Sequence, residues 1–140
     1  MKSQKQATSI RTEAEVIVCC ARTSMDPERA DLLKARLRQN IDWQYLMKTA
    51  QRHGLIPLLY KNLSDVSAEM VPEAVMKTLH EQYNANSQRN LFLTGALIKL
   101  IHFFESNGIS AVPFKGPALA ASVYGNIALR QFCDLDLLIR

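Results

Sequence analysis

Hydrophobic and polar positions recur along this chain with two different periods, and the switch between them divides it. From Pro72 to the Asn107-Gly108 pair, positions 76, 79, 83, 86, 90, 93, 97, 100 and 104 hold Met, Leu, Tyr, Asn, Asn, Leu, Leu, Leu and Phe. Three–four spacing of this kind marks one face of a helix. An unbroken helix over that span would be roughly 50 Å long, so the pattern predicts either a bend near Asn84–Asn90 or two halves serving different neighbours. Shorter helices are predicted upstream from their start and stop signals. Thr12 with Glu15 three residues on forms a capping-box pattern that opens a helix through about Ala21. Asp26-Pro27-Glu28 opens a second, with Leu32, Leu33 and Leu37 on one side. Asp42 caps a third, Trp43–His53, with Gly54 as its stop. Pro57 restarts a short apolar helix, Leu58–Leu63, and residues 1–10 are expected to be a disordered lead.

After Gly108 the period falls to two. Ile109–Phe114 is predicted to be extended, with Pro113 at a strand end. Pro117 starts a helix that Gly125 ends, and the loop Asn126–Cys133 leads into Asp134-Leu135-Asp136-Leu137-Leu138-Ile139. Alternate side chains on a strand share a face, so Asp134 and Asp136 point one way and Leu135, Leu137 and Ile139 the other, into a core. The fold class is α+β and mainly helical. A helical bundle, residues 1–108, leads into a strand–helix–strand unit, residues 109–140, within one continuous domain. Two strands are few for a stable sheet, so the apolar strand face needs cover from the long helix or from further sequence.

Composition narrows the functional classes. A chain of 140 residues, 48% hydrophobic and 21% charged, is ordinary for a globular domain with its own core. Its three cysteines show no Cys-x-x-Cys and no spacing to His53, His80 or His102 that suits zinc, so the expectation is reduced thiols in the cytoplasm of a bacterial-type cell. The longest apolar segment, Leu91–Phe104, is interrupted by Thr94, Lys99 and His102 and falls short of a membrane span; Val16–Ala21 is too short for a secretory core. No membrane partner is expected. A net charge of +4 is compatible with nucleic acid without indicating it.

The candidate chemistry lies at the carboxylate strand. Two carboxylates held roughly 6.5–7 Å apart along a strand can bind hard divalent cations. The Lys115-Gly116 turn, opening a helix some residues earlier, offers backbone N–H groups and a positive dipole to phosphate. Each part has a plain alternative: an acidic face on a half-exposed strand, and a Lys-Gly-Pro turn that lacks the spacing of a Walker loop. Their order and separation together favour a metal–phosphate site. Asn86 and Asn90, polar on an apolar stripe, read either as a register-fixing pair or as a device that turns Arg89 or Asn90 toward that phosphate site.

Lys115-Gly116-x-Ala118-Leu119, Tyr124-Gly125, Ala128-Leu129-Arg130 and Asp134-x-Asp136-Leu137-Leu138 resemble the uncharacterised nucleotidyltransferase family, within the DNA polymerase beta-like nucleotidyltransferase superfamily. The likeness is sharp over Phe114–Arg140 and looser over Asp42–Gly108, where His53-Gly54-Leu55-Ile56-Pro57 also fits. It implies a mixed nucleotidyltransferase-like sheet, with Asp134 and Asp136 as the first two catalytic, metal-binding carboxylates. By the same likeness Gly116, Lys115 and Arg130 fall among the nucleotide-binding residues. Cys133 stands where the family usually has glycine or another small residue. The resemblance implies a two-metal Mg²⁺ site and transfer of a nucleoside monophosphate from a nucleoside triphosphate to an acceptor the sequence does not name. The superfamily uses a third carboxylate on a later strand, and the sequence runs only four residues past Asp136. The expectation is therefore a truncated product with an incomplete, inactive site. The competing reading is a non-catalytic helical interaction domain that keeps a vestigial nucleotide-binding corner.

Overall fold

The structure, a computed structural model, describes residues 10–140; the lead expected over residues 1–10 lies, but for Ile10, outside the described residues. The chain forms α1 (Thr12–Cys20), α2 (Pro27–Leu37), α3 (Trp43–Arg52), α4 (Ile56–Ser67), α5 (Glu73–Ser106), β1 (Ala111–Pro113), α6 (Pro117–Tyr124) and β2 (Leu137–Ile139). Mainly helical α+β is the observed class.

Two of the three expected N-caps form as the sequence suggests. The Asp26 carboxylate accepts from the Arg29 N–H and that of Asp42 from the Tyr45 N–H, each at 2.9 Å. The capping box does not form. Arg11 sits at the cap of α1 without a side-chain hydrogen bond, and the Thr12 hydroxyl donates instead to Gln39 Oε1 at 2.9 Å. The acidic residues of α1 reach its neighbours: Glu15 pairs with Arg36 of α2 at 2.7 Å, and buried Glu13 accepts from the Asp42 N–H at the start of α3 at 2.9 Å. Tertiary partners replace the local cap because α1 packs against both α2 and α3, which bring Gln39, Arg36 and the Asp42 N–H within reach of its first turn. The other end of α1 is closed from α4, where buried Asn62 donates to the Cys20 and Arg22 carbonyls.

Val16, Leu33, Leu46, Leu59, Leu63 and Leu79, each fully buried, belong to one core spanning α1 to α5. Leu33 and Leu37 are inside, while Leu32 is exposed. Helix α5 runs unbroken for 34 residues, and all nine stripe positions are buried or half-buried. It spans the fold because its parts serve different neighbours: α4 first, then a 3-10 turn at Ile127–Leu129, and finally β1 and α6. Among the described residues no helix is long and apolar enough to cross a membrane.

β1 and β2 pair antiparallel, with Ala111 opposite Ile139, Val112 opposite Leu138 and Pro113 opposite Leu137. The Phe114 N–H donates to the Asp136 carbonyl at 3.4 Å, so the pairing reaches the carboxylate segment. The expectation that Leu135, Leu137 and Ile139 enter a core is corrected. Leu135 and Leu137 are half-buried and Ile139 is 59% exposed. A two-stranded ribbon gives each strand one neighbour, and α5 covers only part of one face.

Candidate functional site

Gly116 places the parts of the site. It precedes α6 with φ 57° and ψ −126°, a conformation open to glycine and strained for any residue with a Cβ. A Cβ here would lie 3.2 Å from the Asp134 carbonyl oxygen and 3.9 Å from the Phe132 ring. The glycine therefore serves a close approach: the backbone of the carboxylate segment passes directly against the turn that opens α6. On the same turn, Lys115 Nζ stands 3.9 Å from Asp136 Oδ2. That is a loose ion pair, and the lysine side chain is 56% exposed and able to exchange partners. Asp134 is exposed and Asp136 half-buried; the strand expected from Asp134 forms only over Leu137–Ile139, because β1 offers a partner only over Ala111–Pro113, so both carboxylates lie in the irregular segment just before β2. The start of α6 carries no side-chain cap, so the first-turn N–H groups after Pro117 have no capping side chain.

Four of the five residues singled out in the sequence thus lie together: Lys115, Gly116, Asp134 and Asp136. Arg130 is different. Its carbonyl accepts from Asn86 at 3.4 Å and Asn90 at 2.7 Å, while the same two amides hold the Ala128 and Ile127 carbonyls at 2.9 and 2.6 Å. The polar pair on the α5 stripe is a clamp on the 127–130 turn, and Asn90 is occupied by that duty. The Arg130 side chain is half-buried, its Nη1 has no hydrogen-bond partner, and no ion pair joins it to Asp134 or Asp136 among the described residues.

Sequence reasoning missed a polar cleft beside these residues. It has a volume of about 370 Å³ and is lined by Gln51, Arg89, Gln131, Phe132 and Cys133. Arg89 flanks the amide pair on α5, a signal the sequence carried; nothing marked Gln51 at the end of α3. The 3-10 turn was also missed, although Asn126, whose side chain accepts from the Ala128 N–H at 2.8 Å, is a recognisable turn residue. The thiols divide by exposure. Burial pushes Cys19 up and Cys20 up to about 12, whereas Cys133 is exposed.

The family model described as an uncharacterised nucleotidyltransferase matches residues 39–140. The matched span runs from α3 through β2 and contains every residue of the site. No curated protein and no solved structure matches the chain.

Proposed function

The chain belongs to the uncharacterised nucleotidyltransferase family, and on that premise we propose that Asp134 and Asp136, with the Lys115-Gly116 turn, form its nucleotide site. Nucleotidyl transfer is the family's general chemistry, and a nucleoside triphosphate is the substrate it implies. One observation supports this assignment above the rest. The glycine turn that opens α6 touches the backbone of Asp134 and its neighbouring lysine faces Asp136, although the two segments lie well apart in sequence.

In the proposed reaction an acceptor oxygen forms a bond to the α-phosphorus. The P–O bond to the β-phosphate breaks, pyrophosphate leaves with that electron pair, and the acceptor's proton passes to solvent. Gly116 brings the carboxylate segment against the start of α6, where N–H groups of the first turn would hold phosphate. Lys115 can leave Asp136 for a phosphate oxygen, and Arg130 Nη1, desolvated without a partner, suits an anion. The hard oxygens of Asp134 and Asp136 would hold Mg²⁺. That ion would supply neutralisation of the phosphate charge. Among the described residues no three His, Cys, Asp or Glu side chains gather as a metal cluster. Asp134 and Asp136 are expected to support Mg²⁺-dependent nucleotide binding. The acceptor is unnamed, and the cytoplasm is the proposed compartment.

A second reading is a helical interaction domain with a vestigial nucleotide corner, since most of the described chain is helical and the core lies among α1 to α5. Calorimetric titration with ATP and GTP, with Mg²⁺ or EDTA, tests the site. The expected result is weak, Mg²⁺-dependent binding without base selectivity, abolished by the Asp134→Asn/Asp136→Asn double substitution. Binding that survives both EDTA and the double substitution places the nucleotide elsewhere, and no binding at all favours the interaction domain. Incubation with α-labelled nucleotide then reads transfer. Turnover lost in Asp136→Asn supports the catalytic assignment, and turnover indifferent to that substitution places the chemistry elsewhere.

A further inference from the structure

We infer that the cleft between α3, α5 and residues 131–133 is a second anion subsite, which takes the phosphate or carboxylate group of a small, hydroxyl-bearing acceptor. This rests on the nucleotide reading of the neighbouring carboxylates and gives that reading its missing substrate class.

The placement comes first. Cys133 lines the cleft and is bonded directly to Asp134, so the rim and the carboxylate segment are one peptide apart, about 3.8 Å between Cα atoms. Phe132, buried to 6% exposure, lines the cleft and also stands 3.9 Å from the Cβ position of Gly116. The same ring therefore borders both the cleft and the turn proposed to hold triphosphate. A molecule in the cleft and a nucleotide at α6 would flank the two carboxylates, the arrangement a transfer between them requires.

The lining chemistry comes second. Arg89 is exposed and has no ion-pair partner among the described residues. Its planar fork matches a phosphate or carboxylate. Gln51 and Gln131 add amide donors and acceptors suited to hydroxyls. The floor is fixed rather than loose: Asn86 and Asn90 clamp the turn just before Gln131, and Gln131 Oε1 packs 3.3 Å from the Cβ position of Gly54 at the α3–α4 corner. A volume of about 370 Å³ suits a small molecule. One guanidinium without a basic track or a row of stacking aromatics is a poor match for nucleic acid.

Cys133 reports occupancy. Cys19 and Cys20 are buried with raised pKa values, so alkylation of the folded 140-residue chain by iodoacetamide at neutral pH reads Cys133 alone. The probes are glycerol phosphate, glycerate, plain glycerol and a short single-stranded oligonucleotide, each with and without saturating Mg·ATP. The expected result is protection by glycerol phosphate or glycerate, whichever anion the site prefers, and none by glycerol. Arg89→Gln should weaken protection roughly tenfold or more, since it removes a charge-assisted partner, and Arg89→Lys should recover part of it. Asp134→Asn/Asp136→Asn should leave it in place.

Protection that persists with Mg·ATP bound supports an acceptor subsite. Competition between the two means that the cleft holds the nucleotide's own phosphates and overturns the inference. Protection by the oligonucleotide alone, or protection indifferent to Arg89→Gln, also overturns it. If ATP binding fails while Arg89-dependent protection stands, the nucleotide reading has failed and the anion subsite has not. If ATP binds and neither anion protects, the inference has failed and the nucleotide reading has not.

Discussion

At the scale of single residues, Gly116 carries the most specific demand in the molecule. A side chain there would have to adopt positive φ and also displace the Asp134 carbonyl, which a Cβ would approach to 3.2 Å. Gly116→Ala is expected to destabilise the corner by about 1–3 kcal/mol and to abolish Mg²⁺-dependent nucleotide binding. Helix content by circular dichroism should fall little, because the buried core joining α1 to α5 lies away from the turn. Glu13 makes a different kind of prediction. The Asp42 N–H bonded to its carboxylate, more than the Arg11 charge beside it, holds its pKa below the ordinary carboxylate range. A folded pKa below the unfolded one stabilises fully above the unfolded value and is lost as pH falls through the folded one. Urea midpoints measured across the acid range should therefore fall more steeply for the wild type than for Glu13→Gln. Equal slopes would mean that the bond does not hold in solution.

At the scale of elements, legibility followed locality. Asp26, Asp42, Gly54 and Gly125 were readable because a cap or a left-handed stop is settled by residues within one turn. The α5 stripe was readable because nine positions repeat one constraint. Thr12 and Glu15 misled because their partners, Gln39 and Arg36, are remote in sequence, and a local motif lost to a tertiary contact. The strand alternation predicted a strand from Asp134 onward, yet β2 begins only at Leu137 and Ile139 finds no cover, since both outcomes depend on neighbours the pattern does not contain. The site was legible as a set of residue types, but the Gly116–Asp134 contact and the Arg89 cleft needed three dimensions. The Asn86–Asn90 clamp joins these levels: two amides on a helix stripe fix the turn from which the carboxylate segment departs. Asn90→Ala leaves the Ile127 and Arg130 carbonyls without their shortest bonds and should cost about 1–3 kcal/mol, as stranded buried acceptors do. The check is a lowered urea midpoint together with faster amide exchange confined to residues 127–136. A midpoint equal to the wild type would mean that packing alone holds the turn.

At the scale of the whole molecule, stability and chemistry occupy different ends. The core of Val16, Leu33, Leu46, Leu59, Leu63 and Leu79 ties α1 to α5 together, whereas Val112, Leu138 and Ile139 of the ribbon are 55%, 60% and 59% exposed. Opening the ribbon and α6 leaves the α1–α5 core intact and uncovers only the few buried residues of the corner, Ala120, Leu129 and Phe132 among them, so that corner should open alone, at a free energy below that of global unfolding. Hydrogen exchange of the 140-residue chain is therefore expected to separate two classes of amide. Those of α1 to α4 should exchange only through global unfolding, and those of residues 111–139 through cheaper local opening. Ligand sharpens the distinction, because Mg·ATP bound at Asp134, Asp136 and the α6 start must dissociate before the corner opens. At a concentration of 100 Kd that raises the opening energy by about 2.7 kcal/mol, or roughly a hundredfold slower exchange. The slowing should be confined to residues 111–139 unless their new opening energy reaches the global limit, beyond which the helices would share it. Equal slowing throughout without such a limit, or uniform exchange before any ligand is added, would mean that the bundle and the corner unfold as one cooperative unit.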